Sequence, residues 1–173
     1  VFDRDGTLIE YIPYLFKVKE VRLINGARKL LKLLKNEGFR LFLHTNQSGV
    51  GRGLYSLEDV KNCNNEMLKL LNLGQDLFDR VCIAEDFPPS IDSYRKPSAR
   101  FANEIIKKYN IERSNLFYIG DNISDLETAQ KVGCKAFGIN QGVHDLKIQL
   151  KIRKDMDYII LNNLSEVSDK LIT

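Results

Sequence analysis

The sequence predicts an α/β fold on a mostly parallel sheet, and three observations carry that expectation. Short apolar runs alternate with longer stretches of helical period. Glycine, proline and asparagine punctuate the boundaries between them. Polar and charged residues gather just after the apolar runs, where open α/β sheets build their ligand crevice.

Taken in order, Val1-Phe2 leads into Asp3 and Asp5 as the end of a first strand. Residues 10–24 are rich in aromatic and basic side chains without clean period and read as a turn and flap. Asn25 is expected to cap a helix with Leu30, Leu31, Leu33 and Leu34 as its apolar stripe and Gly38 as its stop. Residues 39–44 form the second strand. Ser56 with Asp59 three residues on opens a helix through a variant capping box, with Val60, Met67, Leu68 and Leu71 inward and Gly74 at its end. Residues 80–84 form the third strand. Pro88, Pro89 and Pro97 then keep residues 85–97 out of regular structure. Ser98 is placed to cap a helix carrying Phe101, Ile105 and Ile106. Residues 116–119 are the fourth strand, a helix over about 124–132 stops at Gly133, and strands over 135–139 and 158–161 precede a short terminal helix.

Composition bounds what this fold can serve. At 173 residues and 43% hydrophobic content, one domain over residues 1–173 is expected. The net charge of +3 comes from 26 basic and 23 acidic residues spread along the chain, which neither requires nor excludes nucleic acid. Cys63, Cys82 and Cys134 are odd in number and far apart, which argues against a disulfide framework and suits a reducing, cytoplasmic compartment. No apolar stretch approaches the ~20 residues of a membrane span. Only two apolar residues precede Asp3, so the first strand is expected to be truncated.

The chemistry is concentrated at four strand ends. Asp3 and Asp5 lie at the first, Thr45-Asn46-Gln47-Ser48-Gly49 at the second, Arg95-Lys96-Pro97 in the loop after the third, and Gly120-Asp121 with Asp125 at the fourth. Paired carboxylates can divide labour, one attacking phosphorus while its neighbour handles the proton, provided a cation relieves repulsion from an anionic substrate. Each piece also has a plain reading. Asp-x-Asp can be a cap or turn, Gly-Asp an ordinary turn, and Arg-Lys-Pro a solvated loop. Their occurrence together, in order, favours a site. His44 reads as a packing or edge residue, and His144 as a surface or cap residue. Tyr11, Tyr14 and Phe16 fit either an aromatic wall over a substrate or core packing.

Asp3-x-Asp5-Gly6-Thr7, Thr45, Lys96 and Gly120-Asp121-x-x-x-Asp125 resemble the four motifs of the haloacid dehalogenase superfamily of phosphatases, over about residues 1–140. Arg4, the run Thr45-Asn46-Gln47-Ser48-Gly49-Val50-x-Arg52-Gly53 and Arg95-Lys96-Pro97 resemble its branch of heptose bisphosphate and histidinol phosphate phosphatases. The resemblance implies a three-layer α/β/α, Rossmann-like sheet with a minimal cap or none. It implies Asp3 as nucleophile, Asp5 as proton donor and acceptor, and Thr45 and Lys96 as phosphoryl ligands. Asn46, Gln47, Arg52 and Arg95 would bind the rest of the substrate. Mg²⁺ would sit among Asp3, the Asp5 backbone carbonyl and Asp121, with Asp125 supporting that shell.

One departure stands out. Many members of that branch hold a structural zinc in the loop after strand three, yet residues 83–94 here contain neither cysteine nor histidine. No zinc is expected, and the prolines, Phe87 and Tyr94 are expected to stiffen the loop. Tyr94-Arg95-Lys96-Pro97 without zinc also resembles nucleic-acid 3′-phosphatase domains, although the chain shows no basic stripe. The expected substrate is therefore a small phosphorylated metabolite, with a D-glycero-D-manno-heptose 1,7-bisphosphate preferred. Histidinol phosphate, a polynucleotide 3′-phosphate and a non-catalytic binding module are the alternatives. Neither a nucleic-acid partner nor a membrane is expected, and the oligomeric state is open.

Overall fold

The computed structural model describes residues 1–141, 145–146 and 157–172. The expectation for His144 lies outside the described residues. Among the described residues there are five strands: β1 (Phe42–Asn46), β2 (Arg80–Ala84), β3 (Phe117–Gly120), β4 (Lys135–Ile139) and β5 (Tyr158–Leu161). All pairings are parallel: β1 with β2, and β3 with β4 and then β5. Residues 1–3 join the two groups. The Phe2 amide donates to the Phe42 carbonyl and the Asp3 amide to Ile119, while Phe2 and Val1 accept from the His44 and Ile119 amides. The order across the sheet is thus β5, β4, β3, residues 1–3, β1, β2. The opening segment makes isolated bridges rather than a ladder, so the expected first strand is a single rung at the centre of the sheet.

Helices cover both faces. α1 (Ala27–Asn36), α2 (Ser48–Gly51), α3 (Leu57–Leu71), α4 (Arg100–Tyr109), α5 (Ile123–Val132) and α6 (Ser165–Leu171) follow one another along the chain. Alternation along the strands sorts the core into two layers. Leu43, Ile119, Phe137 and Leu161 pack with Leu30, Leu34, Met67 and Val167 on one face. Phe42, Tyr118 and Ala136 pack with Phe101, Ile105, Leu126 and Val132 on the other. This is the three-layer α/β/α arrangement.

Several element ends differ from expectation. β1 starts at Phe42 rather than residue 39 and runs on through Thr45 and Asn46, whose polar side chains are used at the sheet's end. Gly26, with φ of 88°, occupies the N-cap of α1 in place of Asn25. Asn72 in the left-handed conformation ends α3 ahead of Gly74. The α4 N-cap is Ala99, although the Ser98 hydroxyl accepts from the Arg100 amide at 3.2 Å. The capping box at Ser56 and Asp59 and the stop at Gly133 are as expected. Residues 10–24 return on themselves, with Glu10 donating to Arg22, Ile24 to Leu8, and a 3₁₀ turn at Val18–Glu20. Among the described residues, no helix is long and apolar enough to cross a membrane.

Candidate active site

The four strand ends do converge. Asp3, Asp5, Asn46, Arg95, Lys96, Asp121 and Asp125 line one cavity of about 330 Å³ at the carboxyl edge of the sheet. At its base the Lys96 ammonium lies 2.5 Å from Asp3 Oδ1 and 2.6 Å from Asp125 Oδ1, all three side chains being buried. Burial pulls the Lys96 ammonium down, but Asp125 and Asp3 outweigh it and hold the group above its ordinary value. Lys96 is therefore a permanent cation.

Asp3, Asp121 and Asp125 offer oxygens within 4.8 Å of one another. Burial, with Asp125 and Asp5 adding repulsion against the pull of Lys96, raises Asp3 to about 7. Burial together with Asp3 and Asp125 raises Asp121 to about 8. One lysine does not balance three buried acids. A divalent cation fits here on the protein's own terms, because Asp121 Oδ2 is buried without a hydrogen-bond partner among the described residues. Gly6 makes room for it. A Cβ at Gly6, where φ is 85°, would meet Asp121 Oδ2 at 2.1 Å. Asp125 is differently employed: Oδ1 takes Lys96, while Oδ2 accepts the Asn122 amide in the capping box of α5. Its carboxylate therefore supports the cluster, with Asp3 and Asp121 left to face a metal.

The loop that carries Lys96 is clamped from β1. The Asn46 side chain donates to the Lys96 carbonyl at 3.1 Å and accepts from its amide at 2.8 Å. His44 Nε2 faces the Tyr94 carbonyl at 2.8 Å, so that nitrogen carries the proton and Nδ1 accepts from the Tyr118 hydroxyl at 3.1 Å. Burial, helped by Lys96, drops His44 to about 3, so it stays neutral. His44 is thus the packing residue of the two readings. Tyr94 is anchored by a 2.6 Å bond to Glu104, and the Arg52 guanidinium lies 3.3 Å from the centre of the Phe87 ring.

Several expected substrate contacts are turned elsewhere. Asn46 grips the Lys96 backbone. Gln47 Nε2 donates to Asp5 Oδ2 at 2.8 Å and to Thr45 Oγ1 at 2.9 Å, and Thr45 Oγ1 lies 3.3 Å from Asp5 Oδ2. Arg52 lines neither cavity at the site, because the Phe87 face holds it. Arg95 does face the cavity, with Nη1 buried and without a hydrogen-bond partner among the described residues. Arg4 is fully buried and forks onto Asp5 at 3.0 to 3.1 Å while donating to Asn64 at 2.8 Å. Asn64 was not foreseen; its one signal is a polar residue at an inward position of α3.

A second cavity of about 230 Å³ adjoins the first, sharing Asp5, Tyr11 and Asn46 and walled by residues 12–15 of the flap with Gln47 and Tyr55. Tyr11 and Tyr14 line this cavity, whereas Phe16 lines neither and stacks on Tyr55; Tyr14 and Phe16 are 48% and 40% exposed and so are not core.

A family model for haloacid dehalogenase-like hydrolases matches residues 3–139. The chain is 33% identical over 153 residues to D-glycero-D-manno-heptose-1,7-bisphosphate 7-phosphatase of Chlorobaculum tepidum, covering 81% of this chain and 77% of that one. It is 30% identical over 142 residues to the histidine biosynthesis bifunctional protein HisB of Legionella pneumophila, covering 80% of this chain and 40% of that one. The crystal structure of D,D-heptose 1,7-bisphosphate phosphatase from B. bronchiseptica, complexed with magnesium and phosphate, superposes with a TM-score of 0.86 at 22% identity, over 98% of this chain and 95% of that one. That likeness speaks for the fold, and the family match with the relatives speaks for descent: the chain belongs to the haloacid dehalogenase-like hydrolases and is an enzyme of that family.

Proposed function

We propose that this chain is a magnesium-dependent phosphomonoester hydrolase acting through an aspartyl phosphate, with D-glycero-D-manno-heptose 1,7-bisphosphate as its substrate. The observation that carries the reading is the pairing of Asp3 with a buried lysine at the base of a cavity that also holds an unpartnered Asp121 oxygen. The heptose is supported by the names of two relatives that are 33% and 32% identical to this chain. A cytoplasmic setting agrees with three buried, unpaired cysteines.

Lys96 keeps Asp3 available as an anion against the upward push of burial and of its acidic neighbours. An Asp3 oxygen attacks phosphorus as the bond from phosphorus to the sugar oxygen breaks. Asp5 gives its proton to that departing oxygen. It then takes a proton from the water that attacks the phosphoryl group, which breaks the bond to Asp3 and releases inorganic phosphate. Lys96 and Arg95 bind phosphoryl or second-phosphate oxygens, where fixed charge is worth most in a site shielded from water. Asp3 and Asp121, with the Asp5 carbonyl, would hold Mg²⁺, which supplies positive charge against the phosphoryl oxygens. The clamp of Asn46 and His44 keeps the lysine loop in register throughout.

A panel of heptose 1,7-bisphosphate, histidinol phosphate and a 3′-phosphorylated oligonucleotide, each with Mg²⁺, tests the reading through kcat/KM. The heptose bisphosphate is expected to lead by at least about tenfold. Preference for either other substrate would replace the sugar assignment, and inertness toward all three would refute the phosphatase.

A further inference from the structure

Asp5 is surrounded unevenly. Among the described residues, Oδ1 accepts a hydrogen bond from Arg4, at 3.1 Å, whereas Oδ2 takes Arg4, Gln47 and Thr45 together. A carboxylate oxygen has about two lone-pair sites, so Oδ2 is saturated and Oδ1 is the oxygen with room for a proton. What orders this arrangement is the Gln47 amide, because a flipped amide would set its carbonyl against the carboxylate.

Gln47 is kept from flipping by Tyr55. The Tyr55 hydroxyl donates to Gln47 Oε1 at 2.9 Å, leaving the NH₂ group for Asp5 and Thr45. The Tyr55 ring in turn lies tight against the backbone after β1, where a Cβ on Gly49 would come within 2.2 Å of it. Its outer face stacks on Phe16 of the flap, centroids 6.0 Å apart and planes 17° from parallel. The contacts thus form one chain from the flap through Phe16, Tyr55 and Gln47 to Asp5.

We propose that Tyr55 is a positioning residue: through the Gln47 amide it orients the Asp5 carboxyl for proton transfer, and through Phe16 it ties that orientation to the flap over residues 10–24. The inference rests on the phosphatase reading, in which Asp5 protonates the leaving oxygen as the bond to phosphorus breaks. Orientation of Asp5 matters most for leaving groups that need the proton. A nitrophenolate departs without much help, whereas a more basic phenolate does not.

The experiment is a series of substituted phenyl phosphates, from 4-nitrophenyl to 4-methoxyphenyl, with leaving-group release followed in the first turnover in the presence of Mg²⁺. Tyr55→Phe keeps the ring and its stack and removes only the hydroxyl. It is expected to slow the 4-methoxyphenyl ester by roughly tenfold and the 4-nitrophenyl ester by less than about twofold, the loss of one hydrogen bond steepening the leaving-group dependence. Phe16→Ala, which touches no polar group, is expected to steepen it in the same sense by a smaller factor. Equal slowing of every ester by Tyr55→Phe would overturn the positioning role, and an unchanged slope in Phe16→Ala would overturn the tie to the flap. An inert wild-type protein would instead refute the phosphatase reading itself, so the two failures are told apart.

Discussion

The two halves of the cleft are built on opposite plans. Around Asp3 the groups are buried and charged, Asp121 and Asp125 beside it and Lys96 at hydrogen-bond distance from two carboxylates, with the lysine loop clamped from β1. Around Asp5 the walls come from the flap and from residues 47–55, with aromatic rings open to solvent. Under the proposed mechanism the difference separates tasks: the rigid half would determine how phosphorus is attacked, and the looser half which leaving group is seated and how its proton arrives.

If this division holds, damage to the first half should be severe and indifferent to substrate. Asp3→Asn is expected to lower hydrolysis of every phosphate ester by about 10⁴-fold, since no other group takes the attacking role. Steady-state rates on an aryl and a sugar phosphate would check this, and retained turnover of one of them would break the comparison. Lys96→Met comes next, with a fall in kcat of about 10² to 10³ from losing a fixed charge at the phosphoryl group. A change confined to KM would move Lys96 out of the chemistry.

Damage at the margin between the halves should depend on the substrate. Arg95→Ala is expected to weaken kcat/KM for a bisphosphate by roughly tenfold or more, the scale of one charge-assisted contact, and to change an aryl phosphate little. Equal losses on both would assign Arg95 to the transferred phosphoryl group.

Smaller still is the effect on stability. In chelator the raised values of Asp3 and Asp121, about 7 and 8, lie above those of an unfolded chain near 4. Between these limits the folded state binds more protons than the unfolded one, so the contribution of these two groups to stability is full below about pH 4 and is lost as pH rises through 7 to 8. Thermal melts in EDTA should therefore show Tm falling from pH 5 to pH 8, with Mg²⁺ recovering most at the alkaline end. A Tm independent of pH in EDTA would contradict the charge crowding of the rigid half. A zinc-selective chelator, by contrast, should leave activity unchanged, because residues 83–94 supply no soft ligand.

Much of the rigid half was legible in the sequence, for a physical reason. Apolar runs bounded by punctuation place strands well, and β2, β4 and β5 fall where expected over Arg80–Ala84, Lys135–Ile139 and Tyr158–Leu161. Acids and a lysine just past such runs must meet at one sheet edge. The end of β1 lies two residues beyond the expected 44 because Thr45 and Asn46 are strand residues whose polarity is spent inside the protein, which hydropathy reads as loop. The looser half was less legible. Nothing in a linear pattern says that Gln47 turns to Asp5, that Tyr55 holds it there, or that Arg52 stacks on Phe87. Those choices depend on which partner each flexible polar side chain meets after folding.

In the proposed mechanism Asp3 carries the phosphoryl group between the two halves of the reaction. The most direct test of that role is to mix enzyme, Mg²⁺ and substrate, quench in acid within the first turnover, reduce with borohydride, and sequence the peptides by mass spectrometry. Reduction of an aspartyl phosphate converts that residue to homoserine. Homoserine is expected at position 3, with aspartate intact at positions 5 and 121. Homoserine at another position, or none while the enzyme turns over and an intermediate accumulates, would contradict it.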